Sequence, residues 1–115
     1  MKIPSDAIIA PEKLTQYLLV WQPKKDKSKF LALAGFTLDN PQDLEAGIRQ
    51  ILETNEAVFE KENEFGQYFQ VEGDLIGTNK RILGVITIWI LKTSGNDNFH
   101  FVTLKPGRNI KHDET

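Results

Sequence analysis

The sequence predicts an α+β domain, with two or three N-terminal helices packed on one face of a three- to four-stranded antiparallel sheet in a two-layer sandwich. Three observations predict it. Helical spacing of apolar residues is confined to the first half of the chain, alternation of apolar and polar residues takes over after Gly66, and turn-forming clusters cut the second half into short segments. Helices first and an antiparallel meander second give two layers around one core. A chain of 115 residues, 40% of them hydrophobic, buries roughly two-thirds of its unfolded surface, enough for one core and no second domain. Residues 1–108 read as a single domain and 109–115 as a flexible C-terminal tail.

Pro11 opens the first helix, Pro11 to Leu19, because a first-turn position needs no amide hydrogen. Leu14, Tyr17 and Leu18 form its apolar stripe, and Trp21-Gln22-Pro23 ends it. A second short helix follows the basic run Lys24 to Lys29, through Phe30-Leu31-Ala32-Leu33-Ala34, with Gly35 free to take the left-handed conformation that stops it. The third starts at Asn40-Pro41, with Asn40 expected to cap a first-turn amide and Asp43 and Glu45 favouring the positive end of the dipole. Leu44, Ile48, Ile51 and Leu52 carry it to about residue 55–58. Strands are then expected over 67–76, 81–92 and 99–104, separated by Gly77-Thr78-Asn79-Lys80 and by the polar run from Thr93 to Asn98.

Register on the central strand locates a candidate surface. Ile82, Gly84, Ile86, Ile88 and Ile90 share one face; Leu83, Val85, Thr87, Trp89 and Leu91 share the other. Branched aliphatics fill a helix–sheet core without needing hydrogen bonds, so the isoleucine face is expected beneath the helices. Thr87 and Trp89 then look outward, joined by Tyr68, Gln70 and Glu72 if Phe69 and Val71 face the core. The expected binding residues are Tyr68, Gln70, Thr87 and Trp89, for a protein partner or a second copy of the chain.

Charge and missing motifs narrow the chemistry. The formal net charge of −2 conceals a net of +3 over residues 1–35, −8 over 36–75 and +3 over 76–115. The acidic middle repels phosphate unless folding turns it away from the two basic flanks. No cysteine is present, which excludes disulfide scaffolds and thiolate metal sites. No phosphate-binding glycine loop, no H-E-x-x-H and no G-x-S-x-G elbow occurs, so no cofactor and no metal is expected. No apolar run reaches the ~20 residues that span a bilayer, and a cytoplasmic protein without membrane contact is expected. What remains is acid–base chemistry. RNA cleavage by 2′-hydroxyl attack needs a base, an acid and a cation. Glu72 is the candidate base, with His100 and Lys29 supplying proton and positive charge, and Arg81 and Lys105 as further cations.

Lys13-Leu14…Tyr17-Leu18-Leu19, Lys27-Ser28-Lys29-Phe30-Leu31…Gly35-Phe36, Tyr68…Val71-Glu72-Gly73, Thr87-Ile88-Trp89 and Phe101-Val102-Thr103 together resemble an uncharacterised bacterial domain family. Its members are free-standing short proteins and, in a more distant form, C-terminal domains of polymorphic toxins. The resemblance spans roughly residues 1–108. It implies a prokaryotic α+β domain and one component of a toxin–antitoxin-like pair acting as an interaction module. The order of elements is also similar to that of small metal-independent ribonuclease toxins of the barnase and RelE type, which implies RNA cleavage as the alternative.

Overall fold

In the computed structural model, residues 1–93 and 98–107 are described. The tail expected over 109–115 lies outside them, as does most of the turn before the last strand. Three helical segments precede four strands. These are α1 (Pro11–Lys13, continued by a π-helical turn, Leu14–Leu18), α2 (Ser28–Ala32), α3 (Pro41–Thr54), β1 (Ala57–Asn63), β2 (Gly66–Ile76), β3 (Ile82–Lys92) and β4 (Phe99–Pro106). The strands form one antiparallel sheet in the order β1-β2-β3-β4, so the fold is α+β.

The helices follow their expected apolar positions with local differences. The first widens into a π-turn, in which the Leu19 amide donates to the Leu14 carbonyl at 3.0 Å. Gly35 ends the α2 region with φ +88, the left-handed value that favours glycine. In α3, Leu44, Ile48, Ile51 and Leu52 are all buried. Asn40 does not cap a first-turn amide of α3. Its side-chain oxygen instead accepts from the Thr37 amide at 2.8 Å and its amide nitrogen donates to the Gly35 carbonyl at 2.9 Å. That side chain ties α2 to α3.

β1 is the fourth strand of the three- to four-stranded sheet expected, but it lies in a stretch to which the sequence assigns no strand. Its seven residues are exposed except Ala57, so no apolar alternation marks it, and its glutamates are poor strand formers.

The central strand faces the opposite way from expectation. Leu83, Val85, Thr87 and Trp89 join Val71, Phe69 and Leu75 of β2 and the buried face of α3 in the core. Trp89 and Thr87 are both 0% exposed, whereas Ile82 is 58% exposed. The physical reason is a two-link hydrogen-bond chain. The Trp89 indole N–H donates to the Thr87 hydroxyl at 2.9 Å, and that hydroxyl donates to the Val71 carbonyl at 3.1 Å. Both polar side chains are thereby satisfied without water, which removes the cost of burying them. Phe101 meets the indole edge-on at 5.3 Å between centroids. Ile88 and Ile90 are shielded on the other face, outside the core cluster.

Thr87→Val leaves the indole N–H without its acceptor, an expected loss of about 1–3 kcal/mol of stability. Urea denaturation reads it as a lower midpoint at unchanged slope. In a double-mutant cycle Trp89→Phe costs less in the Thr87→Val background than in the parent chain.

Candidate functional site at the β4 edge

Both edges of β4 are shaped by what precedes it in the chain. β3 is its paired neighbour; along the other edge, Ile8 donates its amide to the Phe99 carbonyl at 2.9 Å and accepts from the Phe101 amide at 2.8 Å. Farther along, Lys27 Nζ donates to the Leu104 carbonyl at 2.8 Å. Segments from the basic N-terminal flank therefore lie against the strand contributed by the basic C-terminal flank.

A β-bulge decides which β4 side chains reach this place. Trp89 pairs with Phe101 but Ile88 pairs with Thr103, so Val102 is an extra residue. Strict alternation from the buried Phe99 and Phe101 would turn Thr103 inward. The bulge instead sends Leu104 into the core and turns Thr103 to the outward face, beside Ile88. There Thr103 Oγ1 lies 2.9 Å from the Tyr17 hydroxyl and accepts from Lys27 Nζ at 3.2 Å. Tyr17 belongs to the π-helical turn, a distortion found frequently at functional sites. The ammonium groups of Lys27 and Lys13 sit 5.7 and 5.6 Å from its ring centroid.

This Tyr17–Lys27–Thr103 cluster opens on a cleft of about 530 Å³, also lined by Lys25, Asp26, Phe30, Lys105 and Pro106. Burial raises the Tyr17 phenol. The hydrogen bond with Thr103 and the positive charges of Lys27 and Lys13 outweigh it, and the net direction is below 10.0. Asp26 is held below the usual carboxylate range: burial raises it, but the Ser28 hydroxyl and the Gln22 and Lys29 amides donate to it and prevail. A smaller cleft of about 230 Å³ adjoins Lys13 and holds His100 and Lys92. Burial, and then the charge of Lys92, push the His100 imidazole below 6.5.

The residues expected from sequence are dispersed. Tyr68, Gln70 and Glu72 do share the outward face, paired with Ile90, Ile88 and Ile86. Thr87 and Trp89 are sealed in the core and offer no surface to a partner. His100 and Lys105 are outward on β4, opposite Ile90 and Ile86. Glu72 is thus separated from Lys105 by β3, about 10 Å at the usual strand spacing. Lys29 borders a different cleft, of about 390 Å³, with Leu19, Phe36 and Leu38. Glu72, His100 and Lys29 therefore make no shared site. Arg81 is exposed just before β3. Among the described residues no group of three or more His, Asp or Glu side chains converges as a metal site, and no helix is long and apolar enough to cross a membrane. Tyr17, Lys27 and Thr103 all stand in the segments that carry the family resemblance. Nothing in their spacing shows that a bulge and a π-turn bring them together.

A family model described as a domain of unknown function (DUF6883) matches residues 3–108, so the chain belongs to that family. No curated protein sequence matches it. One solved structure with this fold is a contact-dependent growth inhibition toxin–immunity protein complex from Klebsiella pneumoniae 342. A chain of it superposes with a TM-score of 0.60 at 15% identity, over 90% of this chain and 96% of that one.

With Tyr68 replaced by Phe, the remaining phenolate absorbance is expected to report Tyr17 titrating below 10.0. Lys27→Met removes a positive charge and a donor from the cluster and moves that midpoint upward. Under the same conditions the NMR titration of His100 centres below 6.5.

Proposed function

We propose that this member of the family is a toxin-type domain that cleaves RNA in the cytoplasm by acid–base chemistry, with the Tyr17–Lys27–Thr103 cluster as its centre. The observation that carries this reading is the hydrogen-bonded junction of a phenol, an ammonium group and a hydroxyl on a cleft flanked by Lys25 and Lys105. The helices act as one layer behind the sheet in this reading, and substrate approaches the outward face at β4. The likeness to a chain of a toxin–immunity complex supports a place in a toxin–immunity pair and so a cognate protein partner.

The chemistry assigns a role to each group. Attack of a ribose 2′-hydroxyl on the adjacent phosphorus builds negative charge on a five-coordinate phosphorane. It also requires one proton to leave the nucleophile and one to reach the 5′-oxygen. Lys27 neutralises the phosphorane, and Thr103 orients both Lys27 and the Tyr17 hydroxyl. The lowered Tyr17 phenol is the proton donor to the leaving oxygen. His100, kept neutral near pH 7 by burial and Lys92, is the base in the adjoining cleft. Lys25 and Lys105 hold neighbouring phosphates. Glu72 has no part in this cluster.

Charge segregation carries part of the acidic middle of the chain away from the cleft. That middle supplies α3, β1 and β2, and β1 lies three strand spacings, about 14 Å, from β4. This exceeds the ~8 Å screening length at physiological ionic strength.

Incubation of the pure protein with RNA in chelator tests the reading. Cleavage is expected to leave cyclic 2′,3′-phosphate ends. Tyr17→Phe and Lys27→Ala each lower the rate by roughly 10²-fold or more, while Glu72→Ala leaves it unchanged. Absence of cleavage across a panel of structured and single-stranded RNAs defeats the proposal. Loss on Glu72→Ala alone moves the centre to the middle of the sheet.

A further inference from the structure

The two edges of the sheet are treated differently. The free side of β4 is covered by the Ile8 backbone and the Lys27 ammonium. At β1, the described residues provide one such contact, from the Ala57 amide to the Met1 carbonyl at 2.7 Å. Beyond it, Val58 to Asn63 form a terminal strand of the sheet with every residue exposed, regular except for a bulge at Glu60. Large apolar side chains are exposed on both of its faces: Val58, opposite Gln70 on the outward face, is 56% exposed, Phe59, opposite Phe69 on the other, 53%, and Phe65, in the following turn, 62%. A soluble domain ordinarily covers or shortens such an edge, because its free amides and carbonyls accept another strand.

From this edge we infer that β1 is the docking site for a protein partner that adds an extended, lysine- or arginine-bearing strand to the sheet. The charges on β1 choose the occupant. Glu60 and Glu62 on the strand and Glu64 beside it engage in no ion pair among the described residues, while Lys61, the one cation of β1, is drawn over the Tyr68 ring of β2 with its ammonium 5.1 Å from the centroid, which leaves the edge net acidic. A second copy pairing antiparallel through the same edge would set these glutamates against one another, and like charges on facing strands are destabilising. A basic strand instead gains their attraction while its apolar residues cover Val58, Phe59 and Phe65. Ladder hydrogen bonds give affinity in this mode, and the side chains on alternate positions give selectivity. The site lies on the far side of the sheet from Tyr17, so the inference stands independently of the RNA-cleaving reading.

The probe is a fluorescent peptide of alternating valine and lysine, long enough to span β1, added to the full chain. Binding that weakens with salt is expected, with new amide-exchange protection confined to β1. It is lost when proline replaces the central valine of the peptide, since proline cannot continue a ladder. A Glu60→Lys, Glu62→Lys double variant is expected to reject this peptide and to accept an alternating valine–glutamate one. Circular dichroism and the unchanged Tyr17 titration certify that the variant is folded. Failure to bind the peptide, equal binding of the proline peptide, or protection located at β4 overturns the inference. So does a dimer of the unmodified chain in sedimentation that the double variant abolishes, which would make a second copy the occupant.

Discussion

The disposition of the candidate residues on β2 and β3 follows from the burial of one indole. Trp89 and the isoleucines compete for the inward side of β3, and period-two alternation allows only one set to win. A buried Trp covers about 150–250 Å², worth roughly 4–6 kcal/mol at 25 cal/mol/Å², provided its N–H finds a partner. Thr87, two residues earlier on the same face, is that partner, and its own hydroxyl donates a hydrogen bond to the Val71 carbonyl. With the polar penalty cancelled, Trp89 is the better core residue. Cross-strand pairing then turns Tyr68, Gln70, Glu72, His100 and Lys105 outward together.

Two departures from regular geometry build on that frame. Regular alternation would bury the Thr103 hydroxyl, and the single extra residue at Val102 releases it to the outward face. The π-turn keeps Leu14, Leu18 and Leu19 in the core while Tyr17 is only partly buried, with its hydroxyl at Thr103. A phenol and an ammonium group left in water gain little from each other. Brought together at a partly desolvated strand edge, they shift the phenol toward its anion.

The helical half of the fold was legible because its signals are local. Pro11, Pro41 and Gly35 stand where helices begin and end, and the stripe Leu44, Ile48, Ile51, Leu52 is buried as its spacing requires. Of the last three strands, β2 was legible from alternation, which sets Tyr68, Gln70 and Glu72 on its outward face, and β3 and β4 from apolar runs bounded by turn residues. β1 was not, because an edge strand wet on both sides has no pattern to read. The orientation of β3 failed for a different reason. Both of its faces are apolar, and the deciding term was a hydrogen bond between two side chains that period-two reasoning treats separately. The Tyr17–Lys27–Thr103 junction spans 86 positions of sequence between its first and last member and depends on a bulge, so residue types alone could not assemble it.

Sheet order is what lets a chain of slightly negative net charge present a basic cleft. The two basic flanks are far apart in sequence but meet at β4, because the N-terminal segment runs alongside the last strand and Lys27, just before α2, reaches the same edge. The acidic third is left to α3, β1 and β2, and of these β1 is the terminal strand at the opposite edge. Net charge, an average over the surface, is therefore a poor guide to what this domain attracts; the local field at each edge decides, because screening confines each field to about 8 Å. On the readings proposed above, the same separation assigns the two edges different partners without competition. A polyanion is favoured where lysines line the cleft beside β4, and a basic strand where glutamates border the unpaired backbone of β1.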